Sequence, residues 1–289
     1  MAVALAQAGP LLDRLRPAVL FSDVDATLVG KGASLLADLD GLPTLAAASA
    51  LVAAHEAGLE IVLVSGRTRA QLFESGRLIG LRDAIAELGT VLVVGGQAEV
   101  QWGQAPRELG RTPVEALTSS GALDLVLGTY AGRLEYHAPW HNGREGTVLL
   151  RGLVDPAEVA TLLEAKGLGW ARLLDNARLR GAYPHLGLDA GQAHAYHLCP
   201  VGTGKGSAAA AYLARRGLAR EQAAAIGDST ADLELAAAVG VMFLVANAGD
   251  DTRAAAPPDT IVTTAEAGAG WAEAVTALIA RMRGEGTGR

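Results

Sequence analysis

The stretch Ala18-Val19-Leu20-Phe21-Ser22-Asp23-Val24-Asp25-Ala26-Thr27-Leu28 decides how the rest of the chain is interpreted. Its apolar first half predicts a buried strand that runs directly into a turn. Two acidic residues, Asp23 and Asp25, stand at the carboxyl end of that strand, and each makes the other harder to ionise. Such a pair is typical of a bound cation or of acid–base chemistry, although a lone pair can also be an ordinary turn.

Three further polar segments follow predicted strands or begin predicted helices. They are Ser65-Gly66-Arg67-Thr68 after Ile61 to Val64, Lys205 after Gly202-Thr203-Gly204, and Gly227-Asp228-Ser229-Thr230-Ala231-Asp232 after Ala224-Ala225-Ile226. Each alone has a structural explanation as a helix cap or a solvated charge. In an open parallel sheet, however, ligands bind at the edge where the carboxyl ends of the strands meet. We therefore expect the four segments to form one site.

The order of apolar runs predicts the fold class. Strand-like runs at 18–22, 60–64, 90–94, 223–226 and 241–245 alternate with helix patterns at 43–56, 69–77, 207–216 and 231–238. Strands that are apolar throughout predict a parallel sheet covered on both faces. The expected fold is α/β, with a doubly wound, Rossmann-like parallel sheet core and an inserted α+β cap domain.

The insertion is predicted from chain length, since more than 130 residues separate Arg67 from Lys205 and one crossover needs far fewer. The core is assigned to 1–107 and 194–289, and the cap to 108–193. The predicted elements of the cap are a helix at 156–166 and strands at 123–130, 134–137, 147–154 and 171–179. A C-terminal helix is expected at 270–282, followed by a frayed tail at 284–289.

Composition excludes several functions. The chain has 289 residues, half of them hydrophobic, and a formal net charge of −7. No run of Lys and Arg stands out, which argues against a nucleic-acid binder. The longest apolar stretch, 236–248, is too short to span a bilayer, and 1–8 lacks the basic residues of a signal peptide. Cys199 is the single cysteine, so we expect no internal disulfide and a cytoplasmic location.

The four segments resemble the motifs of the haloacid dehalogenase-like (HAD) hydrolase superfamily, which run D-x-D-x-T, then Ser or Thr, then Lys, then G-D-x-x-x-D. Three further segments are similar to its Cof-type and sucrose-phosphatase-like branch, whose members carry a large inserted cap: Glu87-Leu88-Gly89, Ala246-Asn247-Ala248 and Thr263 to Gly268. One departure is Ala26, where many relatives have glycine. The resemblance implies a HAD-type phosphatase, a phosphoric monoester hydrolase.

Phosphoryl transfer needs an oxygen nucleophile, a proton for the leaving group and positive charge around the phosphoryl group. Asp23 is predicted to be the nucleophile, which forms an aspartyl-phosphate. Asp25 is predicted to protonate the leaving group and later to take a proton from the attacking water. By the motif match, Thr27 is expected to orient Asp25.

Because the nucleophile and the phosphate are both negative, the predicted reaction needs cations. Ser65, Gly66 and Lys205 are expected to hold the phosphate oxygens, and the resemblance implies that Lys205 also neutralises Asp23. Oxygen ligands favour Mg²⁺, which we expect as the cofactor. Its predicted ligands are the carboxylates of Asp23 and Asp228, the backbone carbonyl of Asp25, and Asp232 directly or through water.

The sequence thus predicts a Mg²⁺-dependent phosphatase that hydrolyses a small phosphomonoester through an aspartyl-phosphate. The resemblance points to sugar phosphates or phosphorylated glycosides as substrates, and no nucleic-acid or membrane partner is expected. A phosphotransferase or phosphomutase of the same superfamily would carry the same motifs and stays an alternative. A non-catalytic binding module is a further alternative, which the intact acids and lysine disfavour.

Overall fold

Two β-sheets organise residues 2–284, the part of the chain that the computed structural model describes. In chain order the strands are β1 (Val3–Ala4), β2 (Val19–Asp23), β3 (Glu60–Val64), β4 (Ala84–Ala86), β5 (Val91–Val94), β6 (Gln97–Val100), β7 (Leu134–Tyr136), β8 (Val148–Gly152), β9 (Ala171–Arg178), β10 (His194–Pro200), β11 (Ala223–Gly227), β12 (Val241–Leu244) and β13 (Ile261–Val262). The α-helices are α1 (Gly9–Leu12), α2 (Ala46–Ala57), α3 (Arg69–Leu78), α4 (Pro113–Ser119), α5 (Ala122–Thr129), α6 (Pro156–Ala165), α7 (Lys205–Arg216), α8 (Asp250–Ala255) and α9 (Ala267–Met282).

The larger sheet has nine strands in the order β1-β13-β12-β11-β2-β3-β4-β5-β6. Every neighbouring pair from β1 to β4 is parallel, while β4 with β5 and β5 with β6 are antiparallel. The predicted doubly wound, parallel core is confirmed for the strands from β1 to β4 in this order, and the sheet has two antiparallel strands at one end in addition. The predicted strand at 90–94 corresponds to β5 and lies at the antiparallel end of the sheet.

Both faces of the core sheet are covered, which explains why its central strands read as unbroken apolar runs. On one face, Trp271 of α9 and Leu51 of α2 are buried in one apolar cluster. On the other face, Tyr212 of α7 packs edge-to-face on Phe21 of β2, with ring centroids 5.4 Å apart. Truncating a side chain as large as Trp271 in such a core costs about 3–5 kcal/mol. The core therefore holds β2 rigidly beneath the residues that follow it.

The smaller sheet is separate and antiparallel, in the order β7-β8-β10-β9. Its apolar face packs against α5 and α6 through a third cluster that includes Leu123, Val159 and Tyr196. The strand predicted at 123–130 is wrong, because Ala122–Thr129 forms the helix α5. Its buried residues 122, 123 and 126 repeat with helical spacing, but a short apolar run alone does not distinguish a helix from a buried strand.

The boundary predicted at 193/194 falls too early for this sheet. The seven residues of β10 pair with β8 on one side and β9 on the other. The separate sheet therefore extends to Pro200, and the chain re-enters the core just before α7. Within residues 2–284, no helix combines the length and apolar character needed to cross a membrane. The tail predicted as frayed lies, beyond Gly284, outside the described residues.

Candidate active site

The predicted polar segments meet at the carboxyl edge of the parallel strands. Asp23 is the last residue of β2 and pairs in register with Val64, so Ser65 follows on the neighbouring strand β3. Asp228 directly follows β11, the neighbour of β2 on its other side. Lys205 is the first residue of α7. The placement expected from the sheet topology is therefore what the structure shows.

Three carboxylates lie together at this edge. Asp23, Asp228 and Asp232 each offer an oxygen within 4.8 Å of the others. Nζ of Lys205 donates to Oδ1 of Asp23 at 3.0 Å and to Oδ1 of Asp232 at 2.5 Å. Asp23, Asp232 and Lys205 are buried, so these charges are poorly screened by solvent. One lysine faces three acids, which leaves the cluster negative when all of them are ionised.

The pKa values of the cluster follow from this excess of negative charge. Burial, reinforced by Asp232, raises the pKa of Asp23 well above its ordinary value. Burial and the same neighbour raise the pKa of Asp228 to about 7. Burial alone would lower the pKa of Lys205, but Asp23 and Asp232 outweigh it and the pKa rises. A set of buried oxygen donors with unmatched negative charge fits a hard divalent cation.

Asp232 differs from the other two acids because its carboxylate already accepts several hydrogen bonds. Its Oδ2 accepts from the backbone N–H of Asp228 at 3.2 Å, from that of Ser229 at 3.0 Å and from the Ser229 hydroxyl at 2.6 Å. Its Oδ1 accepts from Lys205. At Gly227 an added Cβ would lie 2.3 Å from the Cβ of Asp232, so this close turn needs glycine. Asp232 therefore fixes the turn that presents Asp228.

Two residues that the sequence did not indicate fix the backbone of the predicted nucleophile. The indole Nε1 of Trp271 donates to Oγ of Ser22 at 2.9 Å, and that hydroxyl donates to the carbonyl oxygen of Asp23 at 2.8 Å. Trp271 is fully buried, so this chain of hydrogen bonds is rigid. A serine between an apolar strand and an aspartate is too common in sequences to reveal such a contact in advance.

Asp25 and Thr27 are placed differently from the expectation. Both oxygens of Asp25 accept hydrogen bonds from Arg67, at 3.0 Å from Nε to Oδ2 and at 2.5 Å from Nη2 to Oδ1. The hydroxyl of Thr27 donates to Oδ1 of Asp228 at 3.4 Å. The contact expected between Thr27 and Asp25 is therefore replaced by two others, because Asp25 points outward and Thr27 is buried beneath it.

The conformation of the turn after Asp25 explains why many relatives have glycine where this chain has Ala26. This alanine has φ of +59°, in the left-handed region that favours glycine. Its carbonyl oxygen accepts from Nδ2 of Asn247 at 2.9 Å, while Oδ1 of Asn247 accepts from the N–H of Ala267 at 2.8 Å. The segment 246–248 thus connects the turn to the start of α9. The methyl group of Ala26 therefore strains the backbone but takes no part in the chemistry.

Ser65 and Gly66 form a tight loop against the smaller sheet. Ser65 is buried, and its hydroxyl oxygen accepts from the N–H of Arg67 at 3.3 Å. An added Cβ at Gly66 would lie 3.1 Å from Nδ2 of Asn176 and 3.2 Å from Nε2 of His197. Glycine at 66 therefore lets the cap approach the loop closely, a role in addition to the predicted phosphate contact.

Arg144 of the cap lies over the same loop, which contains Ser65 and Gly66. Its Nη2 donates to the carbonyl oxygen of Gly66 at 3.0 Å, Nη1 to the Thr147 hydroxyl at 3.2 Å and Nε to the carbonyl oxygen of Trp140 at 3.1 Å. The Thr147 hydroxyl also lies 2.9 Å from Nδ1 of His197. Arg144 is therefore part of a buried connection between the cap and the core.

Glu87 connects the cap to the core from the other side. Its buried carboxylate accepts from the backbone N–H groups of Glu145, Gly146 and Thr147 at 3.0–3.1 Å. Burial raises the pKa of Glu87. Its own N–H donates to the carbonyl oxygen of Arg67 at 2.9 Å, so one residue holds both the cap and the loop after β3. The sequence signal that could have indicated this role of Glu87 is a charged residue in a turn after a buried strand.

The same turn approaches the loop before Lys205. Glu87, Leu88 and Gly89 have φ of +50°, +55° and +94° in succession. An added Cβ at Gly89 would lie 2.0 Å from the carbonyl oxygen of Gly204, so the turn needs glycine there. The N–H of Leu88 donates to the carbonyl oxygen of Ser65 at 3.1 Å. This strained turn therefore sets the spacing between the Ser65 loop and the start of α7.

Part of the chain matches a known family. Residues 177–274 match a family model described as haloacid dehalogenase-like hydrolase. A segment of 62 residues is 44% identical to a curated phosphoglycolate phosphatase of Halobacterium salinarum. That match covers 22% of this chain and 28% of the relative, so it spans less than a third of the relative's length.

Solved structures share the fold over nearly the whole chain. A protein of Thermoplasma acidophilum is 16% identical with a TM-score of 0.63, over 91% of this chain and 98% of that one. A HAD/COF-like hydrolase of Plasmodium vivax is 14% identical with a TM-score of 0.64, over 96% and 99%. A HAD-superfamily phosphatase of Bacteroides thetaiotaomicron is 16% identical with a TM-score of 0.58, over 95% and 96%. At such identities the likeness shows the shared fold.

Proposed function

We propose that this chain hydrolyses small phosphomonoesters with the help of Mg²⁺. It belongs to the haloacid dehalogenase-like (HAD) superfamily of hydrolases, in the Cof-type branch, and is an enzyme of the phosphatase type. The observation that carries the proposal is the cluster of Asp23, Asp228 and Asp232 with Lys205 at the edge of the sheet, in which all but Asp228 are buried. The cluster supplies a nucleophile, a fixed cation and oxygen donors for a metal within one hydrogen-bonded unit.

In the first step, an oxygen of Asp23 attacks the phosphorus and the bond from phosphorus to the ester oxygen breaks. Asp25 gives its proton to that oxygen, so the leaving group departs as an alcohol. Lys205 remains hydrogen-bonded to the nucleophile and contributes positive charge as the phosphoryl group arrives. Ser65 and the N–H of Gly66 would hold the other phosphate oxygens.

In the second step, water attacks the phosphorus of the aspartyl-phosphate and gives a proton to Asp25. The bond from phosphorus to the Asp23 oxygen breaks, which releases inorganic phosphate and restores both acids. A bound Mg²⁺ would offset the negative charge shared by the nucleophile and the phosphate. Asp23, Asp228 and the backbone carbonyl of Asp25 would hold it, with Asp232 acting through the turn that it fixes.

The proposed substrates are small because the cap lies directly over the loop of Ser65 and Gly66, which is proposed to hold the phosphate oxygens. Arg144 and His197 of the cap approach Gly66 to hydrogen-bond or van der Waals distance, so a folded protein could not reach the loop from this side. Sugar phosphates remain the class that the family resemblance favours. The name of the Halobacterium relative adds phosphoglycolate to the compounds to be tested.

The test is the release of inorganic phosphate from p-nitrophenyl phosphate and a panel of small phosphomonoesters. We expect release with Mg²⁺, its loss in EDTA, and a loss of at least about 10³-fold for Asp23→Asn. Asp259→Asn, at an exposed position, is the matched control and should keep the wild-type rate. Wild-type protein that releases no phosphate with Mg²⁺ would contradict the proposal, and phosphate recovered on an added sugar would indicate a phosphotransferase.

A further inference from the structure

The predicted acid–base residue is paired with an arginine that neither step above uses. Arg67 engages both oxygens of Asp25 in the fork-like arrangement that a guanidinium makes with a carboxylate. The side chain of Asp25 is 57% exposed and that of Arg67 is 25% exposed. The pair therefore lies on the open side of the site, where a leaving group would enter.

The reaction requires this pair to separate. Asp25 must come within about 3 Å of the ester oxygen to transfer its proton. In the structure both of its oxygens are directed at Arg67 instead. A half-exposed ion pair contributes only about 1 kcal/mol or less, so a second anion could replace Asp25 at little cost. The guanidinium would then bind the incoming anion in the position that the Asp25 carboxylate marks.

The position of Asp25 places that anion on the leaving group. Asp25 has to turn from Arg67 to the ester oxygen, so Arg67 lies on the side of the site where the leaving group would sit. A carboxylate two bonds from the ester oxygen lies about 3 Å from it and extends the leaving group towards the guanidinium.

The other basic side chains near this loop are already paired or are uncharged. All three nitrogens of Arg144 already donate, and its guanidinium lies 4.0 Å from the carboxylate of Glu87. Lys205 is buried between two acids. Burial lowers the pKa of His197 well below its ordinary value, so this ring faces the loop uncharged. Of Arg67, Arg144, Lys205 and His197, Arg67 is the one whose acidic partner is exposed and exchangeable.

We propose that Arg67 selects substrates whose leaving group carries a carboxylate. That carboxylate takes the place of Asp25 on the guanidinium, and Asp25, once released, takes a proton from solvent and turns towards the ester oxygen. The substrate class is therefore small phosphomonoesters with a carboxylate two or three bonds from the ester oxygen. The inference rests on the phosphatase function proposed above and adds to it a specificity residue.

The experiment compares two substrates that differ in this carboxylate: phosphoglycolate, and 2-hydroxyethyl phosphate, whose leaving group carries no charge. For the wild type, we expect kcat/KM to favour phosphoglycolate by about 10²-fold, as sites with a dedicated polar partner discriminate strongly. Arg67→Gln should reduce this ratio to within about threefold of one. Arg67→Lys keeps the charge but loses the fork and should retain a preference of about tenfold.

The matched control is Arg69→Gln, because Arg69 lies two residues away on the same segment but pairs with Glu145 of the cap. It should keep the wild-type ratio. Equal losses on both substrates in Arg67→Gln would place Arg67 on the phosphoryl group and overturn the inference, as would a wild type without preference. Both outcomes leave phosphatase activity in place, whereas the absence of Mg²⁺-dependent phosphate release from every substrate would remove the proposed function itself.

Discussion

Lys205 shows most clearly what a single residue does in this site. It is buried and donates to both Asp23 and Asp232. We predict that Lys205→Met lowers kcat by about 10²-fold, since it removes positive charge at the transferring group. In metal-free protein it should also lower the free energy of unfolding by about 3–5 kcal/mol, because two buried acids lose their partner.

Phosphate release and urea denaturation measure these two effects. Lys166→Met is the matched control, because Lys166 is exposed on the cap and should tolerate the change. A loss of activity below about threefold in Lys205→Met would contradict the assigned role.

Ala26 carries a strain that a smaller residue relieves. An alanine at φ +59° strains the folded chain by about 1–2 kcal/mol. Glycine at this position removes that strain but lowers the free energy of unfolding by about 0.4–1 kcal/mol, because the unfolded chain gains freedom. We therefore predict that Ala26→Gly raises the free energy of unfolding by up to about 1.5 kcal/mol. Urea denaturation measures it, with Ala53→Gly inside α2 as a control that should lower stability. A destabilised Ala26→Gly would show that the methyl packs favourably.

At this scale the sequence could predict which residues meet but not how their side chains point. Strand order and parallel direction determine that Asp23, Ser65 and Asp228 lie at one edge. The partners of Asp25 and Thr27 depend on side-chain direction within a turn, which has no periodic pattern to read. The motif assigned Thr27 to Asp25, whereas the structure directs it to Asp228 and pairs Asp25 with Arg67.

Among the elements, the turn of Glu87, Leu88 and Gly89 connects the cap with two loops of the site. In Glu87→Gln, the amide oxygen can keep the N–H groups of Gly146 and Thr147, which now donate to Oε2, but the amide N–H₂ would face the N–H of Glu145, which now donates to Oε1. We predict a loss of about 1–3 kcal/mol in the free energy of unfolding, because a buried donor is left without an acceptor.

Urea denaturation tests this prediction. Glu99→Gln on β6 is the control, since Glu99 is half exposed and its pair with Arg215 should contribute below about 0.5 kcal/mol. Equal effects in the two variants would mean that Glu87 does not hold the cap to the core.

The elements of the core were predictable and those of the cap less so. Core strands are buried on both faces and bounded by turns, so β2, β3, β11 and β12 stand out as apolar runs. In the cap, Ala122–Thr129 is equally apolar but forms a helix because its buried residues share one helical face. The strand β10 was not predicted at all, since its assignment depends on pairing with β8 and β9.

For the whole molecule, the cluster makes stability depend on pH and metal. Asp228 has a pKa of about 7 in the folded chain against 3.8 ordinarily. Between these values it is protonated when folded and ionised when unfolded, so the stability of metal-free protein falls as pH rises through this window. Mg²⁺ needs the ionised acids, so its stabilising effect should grow over the same window.

Thermal unfolding with EDTA or Mg²⁺ at pH 5 and pH 8 measures this coupling. We predict a larger rise in Tm on adding Mg²⁺ at pH 8 than at pH 5. In Asp228→Asn the difference between the two pH values should shrink, which separates this site from other titrating groups. An equal Mg²⁺ effect at both pH values in the wild type would contradict the prediction.

In the proposed reaction Asp23 forms a covalent phosphoryl intermediate, and this intermediate can be trapped. Rapidly quenched enzyme, mixed with substrate and Mg²⁺, would be reduced with borohydride, which converts an acyl-phosphate on aspartate into homoserine. Mass spectrometry of the peptides then locates the change. We predict homoserine at position 23, whereas homoserine at another aspartate, or phosphate release with Asp23 never modified, would contradict the role of Asp23 as the nucleophile.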